Sequence, residues 1–306
     1  MPEWQKITLV GIGLLGGSLG LAIKQRRLAA RVEGFVRRAA SVAECERLGV
    51  VDRATLDLAA AVNGADLVIL CTPLAQMGPL TAQMLPALKA GAIVTDVGSV
   101  KASVVEVLEV PIARAGAHFV GSHPMAGAEK TGVSVARADL FKGAVCVLTP
   151  TPDSSPTAVR RLEEFWKAVG SWPMKLKPET HDELVSRSSH LPHVVAAGLA
   201  NYVLSPALPK EQPLLCATGF RDSTRIASGS PEMWRDIALA NRRHLSLALG
   251  GFIEDLQQFQ LALDNSDAGA IEEFLLNAKQ RRDEWCAQNA SPSPESATSG
   301  KAGGLE

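Results

Sequence analysis

Ile7-Thr8-Leu9-Val10 runs straight into Gly11-Ile12-Gly13-Leu14-Leu15-Gly16, and a helical stretch continues through Gly17, Ser18 and Gly20. The apolar run reads as a buried strand. The glycines permit a tight turn and let backbone amides reach a pyrophosphate, which a helix N-terminus then stabilises. At the head of a chain that alternates strand and helix, this spacing predicts a dinucleotide-binding loop made by Gly11, Ile12, Gly13, Leu14, Leu15 and Gly16. Glycines present only for helix–strand packing are the alternative reading.

Working outward, Val32–Val36, Asp66–Thr72, Ala92–Asp96, His118–Gly121 and Val145–Thr149 read as further strands, several of them separated by segments of helical periodicity. Such alternation predicts an α/β domain over residues 1–177, a parallel, doubly wound Rossmann-type sheet with helices on both faces. Pro73 stops the run Asp66–Thr72, and Thr72 and Pro73 at its carboxyl end join the expected cofactor contacts. After Lys177-Pro178 the texture changes. Glu179–Leu204, Met233–Leu263 and Ala268–Gln288 read as long helices, giving an all-α domain over 178–289. Its several apolar faces predict burial against a second copy, hence a homodimer through this domain, with a compact monomer as the alternative. Residues 290–306, rich in Ser, Pro, Gly and Ala, read as a disordered tail. No regulatory module is expected after the helices.

The nucleotide preference turns on the second strand. An NAD site normally ends that strand with an acid that holds the ribose hydroxyls. Here the position is Val36, followed by Arg37 and Arg38, while Glu33 sits mid-strand and is expected to point away. Two guanidinium groups suit a 2′-phosphate, so NADP is expected over NAD. An exposed helix start at Arg37 and Arg38 is the alternative.

Composition narrows the partners. The 31 basic and 32 acidic residues are well mixed and leave a net charge of −1, which argues against nucleic acid or an anionic membrane. The five cysteines are widely spaced, without metal-ligand or redox-motif spacing, so reduced thiols in a cytoplasm and no bound metal are expected. Five glycines interrupt the early run Ile7–Leu21, which therefore does not read as a signal peptide, and no apolar run is long enough to span a bilayer.

Three segments fall where chemistry is expected. Asp96-Val97-Gly98-Ser99-Val100-Lys101 follows the strand Ala92–Asp96 and puts Ser99 at the sheet's carboxyl edge. Gly121-Ser122-His123-Pro124-Met125-Ala126-Gly127 puts one histidine among small residues at the end of the next strand, where it can titrate near neutrality. Ser188-Ser189-His190-Leu191-Pro192-His193 lies in the first long helix of the second domain; Ser189 and His193 share a face, His190 points elsewhere, and Pro192 should kink the helix.

Together with Glu129-Lys130-Thr131-Gly132, Gly219–Ala227 and Pro231–Asp236, these motifs resemble the prephenate and arogenate dehydrogenases of tyrosine biosynthesis, over about residues 6 to 288. The resemblance implies oxidative decarboxylation of a cyclohexadienol to a phenol, with a nicotinamide as hydride acceptor. It implies His123 as the base that takes the substrate hydroxyl proton, with Ser99 orienting the imidazole and the hydroxyl. It also implies Arg225 as the grip on a substrate carboxylate, Ser189 and His193 near the side-chain end, Trp234 as a pocket wall and His190 as a further contact. Open alternatives are Ser99 as a helix cap, Arg225 paired with Asp222 or Asp236, and His190 as a packing residue. His118, His181 and His244 read as structural or solvated, and Lys101 and Lys130 as solvated charges. Another two-domain hydroxy-acid dehydrogenase would carry a catalytic lysine near Ser189–His193, and none is seen there. A non-catalytic NADP sensor would not need Ser99, His123 and Arg225 together.

Overall fold

The computed structural model describes residues 2–128 and 130–289; the expected tail at 290–306 lies outside the described residues. Strand β1 (Trp4–Val10) is followed by α1 (Leu14–Gln25), β2 (Ala29–Phe35), α2 (Ala39–Arg47), β3 (Arg53–Thr55), α3 (Leu58–Val62), β4 (Leu67–Leu70), α4 (Leu74–Met84), β5 (Ile93–Asp96), α5 (Ala102–Arg114) and β6 (His118–Phe119). The six strands form one sheet in the order β3-β2-β1-β4-β5-β6, and every neighbouring pair is parallel. This is the doubly wound dinucleotide-binding order, with the crossover next to β1.

Alternation along the strands divides the core. Ile7, Leu9, Leu67, Ile69 and Ile93 face the cluster that includes Leu19 and Ile23 of α1. Val10, Val68, Leu70, Val94 and Phe119 face the cluster that holds Met77 of α4 and Leu108 of α5. Both faces are covered, which is why these strands read as continuous apolar runs.

Past β6 the chain leaves this sheet. Strand β7 (Gly121–Pro124) pairs antiparallel with β8 (Val145–Thr149), and β8 pairs parallel with β9 (Trp172–Lys175). Val145–Thr149 therefore belongs to a second, three-stranded sheet and not to the nucleotide-binding one. His123 lies within a strand, not after one. Between β8 and β9 runs α6 (Pro156–Val169). Its ends are legible in sequence: Ser155 accepts a hydrogen bond from the Ala158 amide, Pro156 opens the first turn, and Gly170 closes the helix in the left-handed region.

The helical part holds α7 (Pro178–Val185), α8 (Leu191–Val203), α9 (Thr218–Thr224), α10 (Pro231–Ala240), α11 (Arg242–Asp264) and α12 (Ala268–Asn289). The single helix expected over Glu179–Leu204 is interrupted at Ser186–His190 by a π turn. Pro192, in the first turn of α8, has no amide to donate back to residue 188, and a widened turn accommodates that loss without ending the helix. By contact the described residues divide within α11, between Ser246 and Leu247, whereas the texture in sequence changes at 177/178. Within the second unit Phe259 and Phe274 pack ring against ring, with centroids 4.9 Å apart.

Candidate active site

The loop after β1 is shaped by close approaches. Gly11 has φ +94°, and a Cβ there would meet the Thr72 methyl at 2.8 Å and the Cys71 carbonyl at 3.0 Å. A Cβ on Gly16 would lie 2.2 Å from the Gly11 carbonyl oxygen. The Gly11 amide donates to the Phe35 carbonyl at 3.0 Å, which ties the loop to the end of β2. Gly13 faces open space, and no side chain caps the N-terminus of α1, so its first amides remain available to an anion. Beside the loop, Thr72 Oγ1 is buried without a partner among the described residues, and Pro73 is the N-cap of α4. An uncapped helix start, an open glycine and an orphaned hydroxyl together fit a dinucleotide pyrophosphate. Val36 is buried, Arg37 and Arg38 are exposed, and Arg38 leads into α2. Glu33 is buried against Lys6 at 2.8 Å and Arg31 at 2.5 Å, directed away from the nucleotide edge as expected.

A polar network ties the turn carrying Ser99 to the strand carrying His123. Asp96, at the end of β5, accepts from the amides of Gly98 (2.8 Å) and Ser122 (3.2 Å) and pairs with the Lys101 ammonium. Lys101 Nζ also donates to the Ser122 carbonyl at 2.9 Å. The expectation that Lys101 is a solvated charge is corrected: the side chain is fully buried. Burial pulls its pKa below the ordinary lysine value, opposed by the Asp96 carboxylate.

His123 is buried, and its Nδ1 lies 2.9 Å from Nε2 of His181 on α7. His181 Nδ1 is 2.8 Å from Asp182 Oδ1. Asp182 accepts from the amides of Lys101 (2.7 Å, on Oδ1) and Ala102 (2.9 Å, on Oδ2), so it caps α5 from 80 residues away. His181, expected to be structural or solvated, is thus the direct partner of the expected base. The Ser99 side chain makes no hydrogen bond to His123 among the described residues. Burial holds His123 well below the usual histidine pKa of 6.5, and the neighbouring His181, Lys101 and His190 push it the same way. It is a neutral imidazole at pH 7.

His190 and His193, expected on different helical faces, both meet Trp234. The His190 ring is buried, meets Trp234 edge-on with centroids 6.1 Å apart, and approaches the Asn241 side-chain nitrogen at 3.1 Å through Nδ1. Burial lowers its pKa to about 4, against the pull of Asp182. His193 stacks on Trp234, centroids 3.4 Å apart and planes 25° from parallel, and its Nδ1 donates to the Ser189 carbonyl at 3.2 Å. Burial lowers its pKa as well, opposed by that carbonyl. Arg225 begins a short 3₁₀ turn that packs against α8. With Arg221, Phe220, Thr224 and Cys216 it lines an open cavity of about 450 Å³ whose lining does not include His123, Ser99 or Trp234. Asp236, one expected partner for Arg225, is bound by Arg235 at 2.7 Å. The structure therefore gathers His123, His181, Asp182 and Lys101 in one network, joins it through the Asn241 side chain to His190 beside His193 and Trp234, and sets Arg225 on the cavity lined by Arg221 and Phe220. His181, Asp182 and Asn241 escaped sequence reasoning. Only the adjacent His181-Asp182 pair early in a helix was a signal, and nothing local marked Asn241.

Residues 19–173 match the family described as "Prephenate dehydrogenase, nucleotide-binding domain", and residues 177–277 match "Prephenate dehydrogenase, dimerization domain". The cyclohexadienyl dehydrogenase of Zymomonas mobilis is 33% identical over 285 residues, which cover 92% of this chain and 96% of that protein.

The chain belongs to the prephenate dehydrogenase family.

Solved members superpose on it closely. The prephenate dehydrogenase of Aquifex aeolicus, in complex with hydroxyphenyl propionate and NAD+, is 30% identical with a TM-score of 0.86, covering 92% of this chain and 98% of that one. The arogenate dehydrogenase of Synechocystis is 31% identical with a TM-score of 0.77, covering 92% and 100%. Family membership makes the protein a dehydrogenase with a nicotinamide cofactor, and its two parts correspond to the nucleotide-binding and dimerization regions of the family.

Proposed function

We propose that this dehydrogenase oxidatively decarboxylates prephenate, arogenate or both to 4-hydroxyphenylpyruvate or tyrosine, using NADP, as a step of tyrosine biosynthesis in the cytoplasm. The observation that carries the reading is a buried, neutral His123 tied through Asp96 and Lys101 to the turn bearing Ser99. A nicotinamide dinucleotide, when bound, would supply the hydride acceptor. Residues Gly11 to Gly16 would hold its pyrophosphate, with Thr72 and Pro73 alongside, and Arg37 and Arg38 would hold the 2′-phosphate. His123 takes the substrate hydroxyl proton as hydride leaves the same carbon, a task for which a neutral imidazole is suited. Ser99 orients the hydroxyl. Arg225 grips a carboxylate in the bidentate manner open to a guanidinium, and Ser189, His190 and His193 border the side-chain end against Trp234. Loss of carbon dioxide and aromatisation drive the reaction, and the protein contributes positioning and electrostatics.

Residues 178–289 pair two copies into a homodimer. Supporting this, Leu247, Leu256, Leu261, Phe274, Leu276 and Trp285 of α11 and α12 are exposed. Among the described residues no helix is long and apolar enough to cross a membrane, and nothing in the charge pattern suits nucleic acid. Mixing the purified protein with NADP and either prephenate or arogenate, and following absorbance of the reduced cofactor, tests the reading. Turnover with at least one substrate is expected. No turnover with either, with NADP or NAD, overturns it.

A further inference from the structure

From the hydrogen bonds around His123 we infer that Asp182, acting through His181, fixes the tautomer of His123 and leaves its Nε2 as the nitrogen that accepts the proton. The inference rests on the reading of His123 as the base, and names two positioning residues for it.

The argument starts from donors that cannot turn round. The backbone amides of Lys101 and Ala102 both point at the Asp182 carboxylate, one to each oxygen. Both oxygens are thereby committed as acceptors, and Oδ1 offers its remaining lone pair, not a proton, to His181 Nδ1 at 2.8 Å. His181 must therefore carry its proton on Nδ1. In the neutral ring the other nitrogen, Nε2, is then a lone pair, and it faces His123 Nδ1 at 2.9 Å. That contact is a hydrogen bond only if His123 donates from Nδ1. The one nitrogen of His123 left without a proton is Nε2.

The chain is locked at each link. His181 and Asp182 are buried, and the Asp182 carbonyl accepts from the Asn241 side-chain amide at 2.8 Å, which holds α7 in place from the turn between α10 and α11. The His123 and His181 planes cross at 74°, and the 2.9 Å between His123 Nδ1 and His181 Nε2 makes the contact nitrogen to nitrogen. Charge follows the same route. When His123 takes a proton on Nε2, its Nδ1–H stays bonded to His181, and the Asp182 carboxylate at the far end favours the resulting cation. The layout has the logic of the serine-protease triad, in which a buried carboxylate sets the tautomer of the catalytic histidine. Here a second imidazole is interposed.

The first test reads the tautomer directly. In full-length protein labelled with ¹⁵N-histidine, long-range ¹H–¹⁵N correlation is expected to show a protonated, pyrrole-type Nδ1 and a pyridine-type Nε2 for His123. The opposite pattern overturns the inference. The second test breaks the chain at His181 and leaves Asp182, which caps α5, intact. His181→Leu removes the acceptor and should lose at least ~10²-fold in kcat with KM little changed, whereas His181→Gln retains an acceptor oxygen and should recover most of the rate. The acid limb of the rate profile should shift in His181→Leu, since Lys101, His190 and Cys146 then remain as the titratable groups facing His123. Wild-type kcat and nitrogen pattern in His181→Leu overturn the inference. If the wild type shows the stated pattern but turns over neither cyclohexadienyl substrate, the functional reading fails and the tautomer assignment stands.

Discussion

His123 is a base made effective by what surrounds it. Burial and three neighbouring basic groups lower its pKa, so it stays unprotonated as pH falls through 6.5, where a solvent-exposed histidine would already be half charged. The expected kcat/KM is flat from pH 8 to below 6.5 and falls only on the acid side of that value; a profile with its acid midpoint above 6.5 contradicts the assignment. His123→Asn should slow turnover by ~10²–10⁴-fold with cofactor affinity unchanged, read by steady-state rates and fluorescence titration of the dinucleotide. Lys101 carries a different burden. Replacing it by Met leaves Asp96 charged and buried without its cation, which should cost about 3–5 kcal/mol in a denaturant titration. The glycine loop and His123 itself are readable in sequence because each depends on its own few neighbours. Lys101 reads as solvated since nothing within a short window shows that Asp96 and Ser122 enclose it.

At the scale of elements, α1 gives up helix propensity for proximity. A Cβ at Gly20 would lie 1.9 Å from the Val50 carbonyl oxygen, so the glycine lets the helix lie against the chain entering β3. Gly20→Ala would gain about 1 kcal/mol of local propensity, yet should be destabilising by about 1–3 kcal/mol because the backbone must shift, measurable as a lower Tm. The loop from β2 to α2 governs the cofactor. Replacing Arg37 and Arg38 with Ser should weaken NADP binding more than NAD binding; equal losses in paired titrations would remove their role at the 2′-phosphate. The strand–helix alternation and the acid-free end of β2 were legible. β3 and β9 were not. β3 has only three residues, and β9 is an edge strand carrying Pro173 with an exposed Trp172, so neither presents the buried run by which the other strands are recognised. The π turn was foreshadowed only as a kink at Pro192.

For the molecule as a whole, buried neutral histidines couple folding to pH. The folded-state pKa of His190 is about 4, below the 6.5 of an unfolded chain, so the unfolded state binds the proton more readily. Its contribution to stability is fully present above pH 6.5 and is lost as pH falls towards 4, on the order of 3 kcal/mol over the window. His123 and His193 act in the same direction. Tm should therefore fall between pH 6.5 and 4, and the fall should be shallower in His190→Asn; equal slopes would show that His190 is not buried neutral.

What the sequence alone determined was local and repetitive: a glycine turn after a strand, alternation that builds a two-faced sheet, and motifs long enough to resemble a family. These features depend on neighbours a few positions apart, and their physics is complete within one turn or one strand. Tertiary structure alone decided which groups meet. His123 and His181 are 58 positions apart, and the Lys101 amide and Asp182 are 81 apart, yet each pair is at hydrogen-bonding distance. A buried donor takes its acceptor from whatever element the fold packs against it, and that choice is made by the core, not by the residues beside it in the chain.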